Sequence, residues 1–201
     1  MLRNYFKSLP QASSLSANIY ALCDFDMLNK HDITLEQYVQ TCKVNEVKLV
    51  QYRDKTNSIE IQKLHLNYLT SHLDVPIIIN DKLELVEYAH GLHLGQEDLE
   101  RFFADKSKAV MILRKKLKDK LFGISTHNEL EILRANEWDL DYIGLGAYRN
   151  TSTKDVSTVL GDKLPYLAKV SKHPVCAIGG VKKEDVLANV SMNVIGSGLL
   201  V

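Results

Sequence analysis

Residues 75–98 read VPIIINDKLELVEYAHGLHLGQED and hold two short runs, Val75–Asn80 and Gly91–Gly95, each of which breaks into polar residues at its C-terminal end. The first run is apolar at successive positions instead of alternating. That is the pattern of a strand covered on both faces, as in a parallel sheet sheathed by helices. Six further β-rich runs flank this pair: Asn18–Cys23, Val47–Asp54, Leu121–Thr126, Asp141–Gly146, Pro174–Gly179 and Asn193–Leu200.

The intervening segments carry helical spacing. Downstream of Asp32, a residue able to cap a helix N-terminus, Leu35, Tyr38, Val39 and Cys42 fall on one helical face. Asn128 with Glu131 three residues on resembles a capping box. Eight strands alternating with helices within 201 residues predict an α/β fold, a single-domain (β/α)₈ TIM barrel, with an open doubly wound sheet as the alternative. The sequence stops at the end of the eighth run, so the eighth helix is expected to be missing and to leave apolar surface beside strands 8 and 1. Residues 1–17 form an N-terminal extension in which Leu2, Tyr5, Phe6 and Leu9 have helical spacing. A capping helix there, or a second subunit, is expected to cover the strand 8–strand 1 seam.

Hydrophobic residues make up 45% of the chain and charged residues 25%, enough apolar material for a buried core. Twenty-five basic and 25 acidic side chains cancel, so no overall field points to nucleic acid or to an anionic membrane, and an anionic ligand must be held by a local cluster. Cys23, Cys42 and Cys176 are odd in number and far apart, as expected of reduced thiols in a cytoplasmic protein. The opening MLRNYFKSLPQASSLSANIY has no apolar core of the secretory type, and no uncharged run reaches the ~18 residues of a membrane span.

In a barrel of this kind the loops at the strand C-terminal ends build the site. Polar residues gather there: Gln51, Arg53, Asp54 and Lys55 after strand 2, Asn80, Asp81 and Lys82 after strand 3, and Gln96, Glu97 and Asp98 after strand 4. Ser125, Thr126 and His127 close strand 5, and Asn150, Thr151, Ser152, Thr153 and Lys154 follow strand 6. Strands 2, 3 and 4 are neighbours about 4.8 Å apart, so Asp81 and Asp98 can reach one ion with Arg53 and Lys55 alongside. Two carboxylates suit Mg²⁺, a hard cation that takes few protein ligands. Gly179–Gly180, and Gly196–Ser197–Gly198 within the eighth strand, would let backbone N–H groups approach a second phosphate. Plainer readings exist for other residues: His127 as a helix cap, His93, Trp138 and Tyr142 as packing, and the charge run Arg114–Lys120 as a solvated helix face.

At these motifs the chain resembles thiamine-phosphate synthase and its TenI-like relatives. The segments that carry the likeness are VQYRDK (50–55), IIINDK (77–82), GLHLGQEDL (91–99), GISTH (123–127), DYIGLG with TSTK (141–154) and AIGGV (177–181). The resemblance implies a cytoplasmic, homodimeric transferase that joins a hydroxymethylpyrimidine diphosphate to a thiazole phosphate and releases pyrophosphate. By matching position, Gln51, Arg53, Lys55 and Asn80 would meet the pyrimidine diphosphate, Asp81 and Asp98 would hold Mg²⁺, and Ser125 would line the site. Thr151, Thr153, Gly180, Ser197 and Gly198 would hold the thiazole phosphate, with Lys154 on the diphosphate. Arg53, Lys55, Ser125 and Lys154 are thus the expected catalytic group.

The chain departs from the family pattern in the loop GAYRNTSTK, which lacks the usual prolines and adds Arg149, and in VIGSGLL, where a serine-alanine pair normally stands one place later. Two other functions fit the same barrel. One is a TenI-like thiazole tautomerase, with His127 moving the proton. The other is a non-catalytic barrel that binds phosphate or thiamine precursors.

Overall fold

The computed structural model describes residues 2–9, 18–150 and 159–200. Eight strands, β1 (Ile19–Asp24), β2 (Leu49–Arg53), β3 (Ile77–Asn80), β4 (Gly91–Leu94), β5 (Leu121–Thr126), β6 (Tyr142–Gly146), β7 (Val175–Ile178) and β8 (Met192–Ile195), pair in sequence order. All pairings are parallel, and β1 pairs with both β2 and β8, so the sheet closes into a barrel. The eighth strand is shorter than its sequence suggested. It ends at Ile195, and Ser197–Leu199 form a 3₁₀ turn beyond it, so Ser197 and Gly198 belong to a turn rather than to the strand.

The α-helices are α1 (Tyr5–Ser8), α2 (Phe25–Lys30), α3 (Leu35–Val44), α4 (Ile59–His72), α5 (Gln96–Phe102), α6 (Lys106–Leu117), α7 (Glu129–Ala135) and α8 (Leu164–Val170). Outward-facing strand residues such as Val50, Tyr52, Ile77, Ile79, Ile143 and Leu145 share one core with Leu66 and Leu69 of α4, Leu113 of α6 and Ile132 of α7. This explains the unbroken apolar runs, because both faces of each strand are covered. The cap of α3 is Thr34, whose Oγ1 accepts from Gln37 N at 3.2 Å while Gln37 Oε1 accepts from Thr34 N at 2.8 Å. Asp32, the expected cap, instead takes φ +53° in the preceding turn. Asn128 caps α7 through Glu131 N at 3.0 Å, as its spacing suggested.

Strand and helix do not alternate throughout. A 3₁₀ segment, Leu83–Tyr88, joins β3 to β4, and residues 179–191 join β7 to β8 through turns alone. Asn193 of β8 faces outward into that connection and donates from Nδ2 to Lys182 O at 3.0 Å and Asp185 O at 2.7 Å. The side chain thereby satisfies loop carbonyls that a helix would have satisfied internally.

Inside the barrel, two-residue alternation sorts side chains into layers. The lower layer, Tyr20, Leu49, Ile78, Leu121, Tyr142, Cys176, Met192 and Val194, is apolar apart from two phenol hydroxyls. Leu2, Tyr5, Phe6 and Leu9 pack against this layer. Tyr5 OH donates to Lys48 O at the foot of β2, and Arg3 pairs with Asp139 and Asp141 at the foot of β6. The described part of the N-terminal segment therefore packs on the barrel floor. The physical reason is the ring of apolar side chains at the floor, which water would otherwise reach.

Arg114 also departs from its sequence reading. It is buried, donates to Asp141 Oδ2 at 2.6 Å and to Lys120 O at 2.8 Å, and so lies at the foot of the barrel rather than on a solvated face. Asp141 Oδ2 also accepts from Phe122 N at 2.8 Å, which ties β5 to β6 through a fully engaged carboxylate.

Gly123 makes room for the Tyr142 ring: a Cβ at Gly123 would lie 2.1 Å from Tyr142 Cζ. Gly123→Ala should therefore cost about 3 kcal/mol by overpacking. Urea unfolding checks this, and a midpoint equal to that of the parent would contradict the packing described.

Candidate active site

Asp81 is the first residue beyond β3 and has φ +62°, a left-handed conformation that Asp tolerates better than most side chains. Its N–H donates to His93 O at 2.9 Å, which holds the turn against β4. Asp98 sits in the first turn of α5, where Oδ2 accepts from Gly95 N at 3.1 Å and Oδ1 pairs with Arg101 at 3.0 Å. The Asp81 and Asp98 carboxyl groups lie near enough to act on each other electrostatically, and the Arg53 charge also acts on Asp81. Burial first, and the neighbouring Asp98 second, push the Asp81 carboxyl up to about 6.

Arg53 is held from the other side by Asp24, the last residue of β1, whose Oδ2 accepts from the guanidinium. Asp24 Oδ1 also caps α2 through Met27 N at 3.1 Å. Sequence reasoning passed over Asp24, although its place at the C-terminal end of the first strand was the available signal. Lys55 follows on the exposed part of the same loop. Asp54 and Lys82 brace that loop. Asp54 accepts from Thr56 N and Asn57 N, each at 3.0 Å, and from Tyr52 OH at 2.7 Å. Lys82 Nζ donates to Asp54 O and to the buried Gln62 Oε1, each at 2.8 Å.

A hydrogen-bonded chain crosses the barrel interior below this cluster. Gln51 Nε2 donates to Tyr20 OH at 2.8 Å, Tyr20 OH meets Tyr142 OH at 2.9 Å, Tyr142 OH meets His93 Nδ1 at 3.0 Å, and His93 Nε2 meets Ser125 Oγ at 3.0 Å. Burial raises both phenols well above their ordinary range, so each keeps its one proton. With Gln51 donating at one end, one proton order consistent with these contacts runs through both tyrosines to His93 Nδ1. In that order the imidazole carries its proton on Nε2 and donates it to Ser125, whose own hydroxyl proton points into the site. Gln51 and Ser125, both predicted for the site, are thus two ends of one chain. Of its middle members, Tyr142 and His93 read as packing residues in the sequence. Asn80 lies at the end of β3, and its side chain partly offsets the rise of the Asp81 carboxyl.

On the opposite rim, Gly179 and Gly180 have φ +86° and +64°, and a Cβ on either would run into Ala147 or Arg149 at 2.4 and 2.7 Å. Arg149 reaches across to this turn: its N–H donates to Gly179 O at 2.8 Å and NH1 donates to Gly180 O at 3.0 Å. Its guanidinium also grips Asp185 with two bonds, at 2.5 and 2.9 Å. Arg149 therefore joins the loops after β6 and β7. Ser197 and Gly198 lie on the same side in the turn after β8, while Thr151, Thr153 and Lys154 lie outside the described residues. His127 is half-exposed, and its N–H and Nδ1 both contact Glu131 Oε2, at 2.8 and 3.0 Å, which is the arrangement of a helix-start brace.

A family model described as thiamine monophosphate synthase matches residues 19–197. The chain is 30% identical over 194 residues to a thiamine-phosphate synthase of Clostridium botulinum (strain Eklund 17B / Type B), covering 94% of this chain and 86% of that protein. It is 34% identical over 173 residues to the thiamine-phosphate synthase of Clostridium acetobutylicum, covering 83% of this chain and 77% of that one. Among solved structures, thiamine phosphate pyrophosphorylase from Pyrococcus furiosus superposes with a TM-score of 0.70 at 22% identity, covering 98% of this chain and 88% of that chain. An N-acetylmannosamine-6-phosphate 2-epimerase from Clostridium perfringens shares the fold with a TM-score of 0.61 at 12% identity, over 92% of this chain and 89% of that chain.

The raised Asp81 value has a consequence for stability. The folded protein holds a proton up to about pH 6 that the unfolded chain releases near its ordinary 3.8. Stability at this site is therefore greatest at low pH and falls as pH rises through that window. In metal-free buffer, the melting temperature of the parent should fall relative to Asp81→Asn between about pH 4 and pH 6. Parallel melting profiles of the two proteins across that range would show that the carboxyl is not perturbed.

Proposed function

The chain belongs to the thiamine monophosphate synthase family and is a transferase of thiamine biosynthesis, and from that premise we propose that it joins hydroxymethylpyrimidine diphosphate to hydroxyethylthiazole phosphate with release of pyrophosphate. The observation that carries this reading is the meeting of Asp81 and Asp98 beside Arg53 at the rim. Two carboxylates brought together raise each other's energy, and Arg53 is already paired with Asp24, so the pair has the donor set and the charge deficit that a divalent cation would answer. Among the described residues no group of three or more His, Cys, Asp or Glu forms a metal cage. A two-carboxylate site suits Mg²⁺, which keeps water and substrate phosphate oxygens in its remaining positions.

In this reading Asp81 and Asp98 hold Mg²⁺, which when bound supplies positive charge to the departing pyrophosphate. Arg53, Lys55 and Lys154 meet the diphosphate and stabilise the charge that grows as the carbon–oxygen bond breaks. Asn80 orients the Asp81 carboxyl and the diphosphate. Gln51 and Ser125, fixed by the chain through Tyr20, Tyr142 and His93, hold the pyrimidine ring, from whose methylene carbon the leaving group departs. The thiazole nitrogen then captures that carbon. Gly180, Ser197 and Gly198, with Thr151 and Thr153, hold the thiazole phosphate, and Arg149 keeps the Gly179–Gly180 turn against the loop after β6. Arg149 is paired with Asp185 and so serves that turn as a clamp.

The tautomerase reading needs His127 to move a proton between substrate atoms; its N–H and Nδ1 both meet Glu131 Oε2, an arrangement that also fits a helix-start brace. The family likeness further supports a homodimer. The three cysteines are free and buried, which fits a reducing compartment, the cytoplasm. No helix among the described residues is long and apolar enough to cross a membrane.

The test is pyrophosphate release from the two phosphorylated precursors, measured with and without Mg²⁺. Metal-dependent release is expected. Asp81→Ala and Lys154→Ala should each lower turnover about a hundredfold, the scale of losing one preorganised electrostatic contact. Near-normal turnover in both variants would remove the mechanism, and thiazole isomerisation without metal would favour the tautomerase.

A further inference from the structure

Among the described residues, one stretch of contacts runs from the outside of the barrel floor to the rim without interruption. Phe6 lies on the Tyr142 ring with centroids 5.0 Å apart and planes 29° from parallel. Tyr5 packs edge-on against Phe6 at 5.7 Å and is pinned through its hydroxyl to Lys48 O. Arg3 adds the tie to Asp141, the residue before Tyr142. Tyr142 is in turn stacked with His93 at 5.5 Å and bonded to it at Nδ1, and His93 Nε2 reaches Ser125. On the β5 side the Tyr142 ring fills the place a side chain would take at Gly123, where a Cβ would lie 2.1 Å from its Cζ.

We propose that Phe6 is a positioning residue for the site: the N-terminal segment, acting from the opposite end of the barrel, holds Tyr142 in place and through it sets the orientation and the protonated nitrogen of His93 and the aim of Ser125. A ring 5.0 Å below Tyr142 limits its tilt and descent toward the floor. A tilt of Tyr142 would lengthen two hydrogen bonds at once, those to Tyr20 and to His93. Freed from the Tyr142 proton, His93 Nδ1 could take a proton itself. Nε2 would then become an acceptor, and the Ser125 hydroxyl would turn down to His93 instead of pointing into the site. The floor contact is therefore coupled to the polarity of a group at the rim.

The turnover half of the test rests on the synthase reading, and the spectroscopic half does not. In ¹⁵N-histidine-labelled protein, with the His93 signals assigned from a His93→Gln variant, the parent should show Nε2 protonated and Nδ1 bare. Phe6→Ala should shift these resonances toward a mixture of the two tautomers. Where the parent releases pyrophosphate, the same variant should lose about tenfold in kcat with little change in KM for the thiazole phosphate. Phe6→Leu, which refills the volume, should recover most of both. Leu69→Ala, which empties the outer core behind α4, serves as a comparison: it should lower the melting temperature and leave the His93 resonances where they were. Unchanged His93 resonances in Phe6→Ala, or an equal shift in Leu69→Ala, would overturn the proposal. A parent without synthase activity would count against the proposed function alone, since the His93 resonances still decide this inference.

Discussion

Closure of eight parallel strands is the constraint on which the remaining geometry rests. Because β1 pairs with β8 as well as with β2, no strand has a free edge, and every strand delivers its C-terminal end to the same rim. The same closure forces alternate side chains into an interior that must be filled. Apolar residues fill the lower layer, and glycines at 91 and 123 give up volume where Ile78 and Tyr142 intrude. Near the rim the inward positions become Asp24, Gln51, Arg53, Asn80, His93 and Ser125, and chemistry is concentrated there for the same geometric reason that packing is concentrated below.

The charged groups divide accordingly. Arg114 with Asp141, and Arg149 with Asp185, are pairs whose hydrogen bonds are also spent on neighbouring backbone, so they act as joints between elements. Arg53 with Asp24 is a joint that also presents a guanidinium to the rim. The acidic pair is different. Asp81 is held in a left-handed turn and raised to about 6 by burial first and by Asp98 second, an arrangement that costs the protein free energy as it stands. Such a cost is sustained at sites where a ligand relieves it. The floor and the rim are linked by the tyrosine–histidine–serine chain.

How legible the molecule was in its sequence follows from the range of the interactions concerned. The strands from β1 to β7 could be read because a doubly covered strand needs an unbroken apolar run, and that requirement is local. Asn128 was legible as a cap because its partner is three residues away. Thr34 and Asp32 are two residues apart and both can cap, and only the backbone of the turn separates them. Arg114 read as solvated because its neighbours in sequence are lysines, yet its partner Asp141 lies 27 residues on. Tyr142 and His93 read as packing residues, since nothing local reveals that a phenol and an imidazole 49 residues apart will share a proton.

The sequence by itself determined the eight strand runs and the polar residues gathered at their C-terminal ends, because periodicity and strand polarity are properties of short segments. Tertiary structure alone decided that Asp81 and Asp98 lie near enough to act on each other, that Arg53 is held by Asp24, that the N-terminal segment packs on the floor, and that Tyr20, Tyr142 and His93 join Gln51 to Ser125. Each of these is a contact between segments distant along the chain, and its existence depends on how strands are ordered and staggered around a closed sheet, which no single segment specifies.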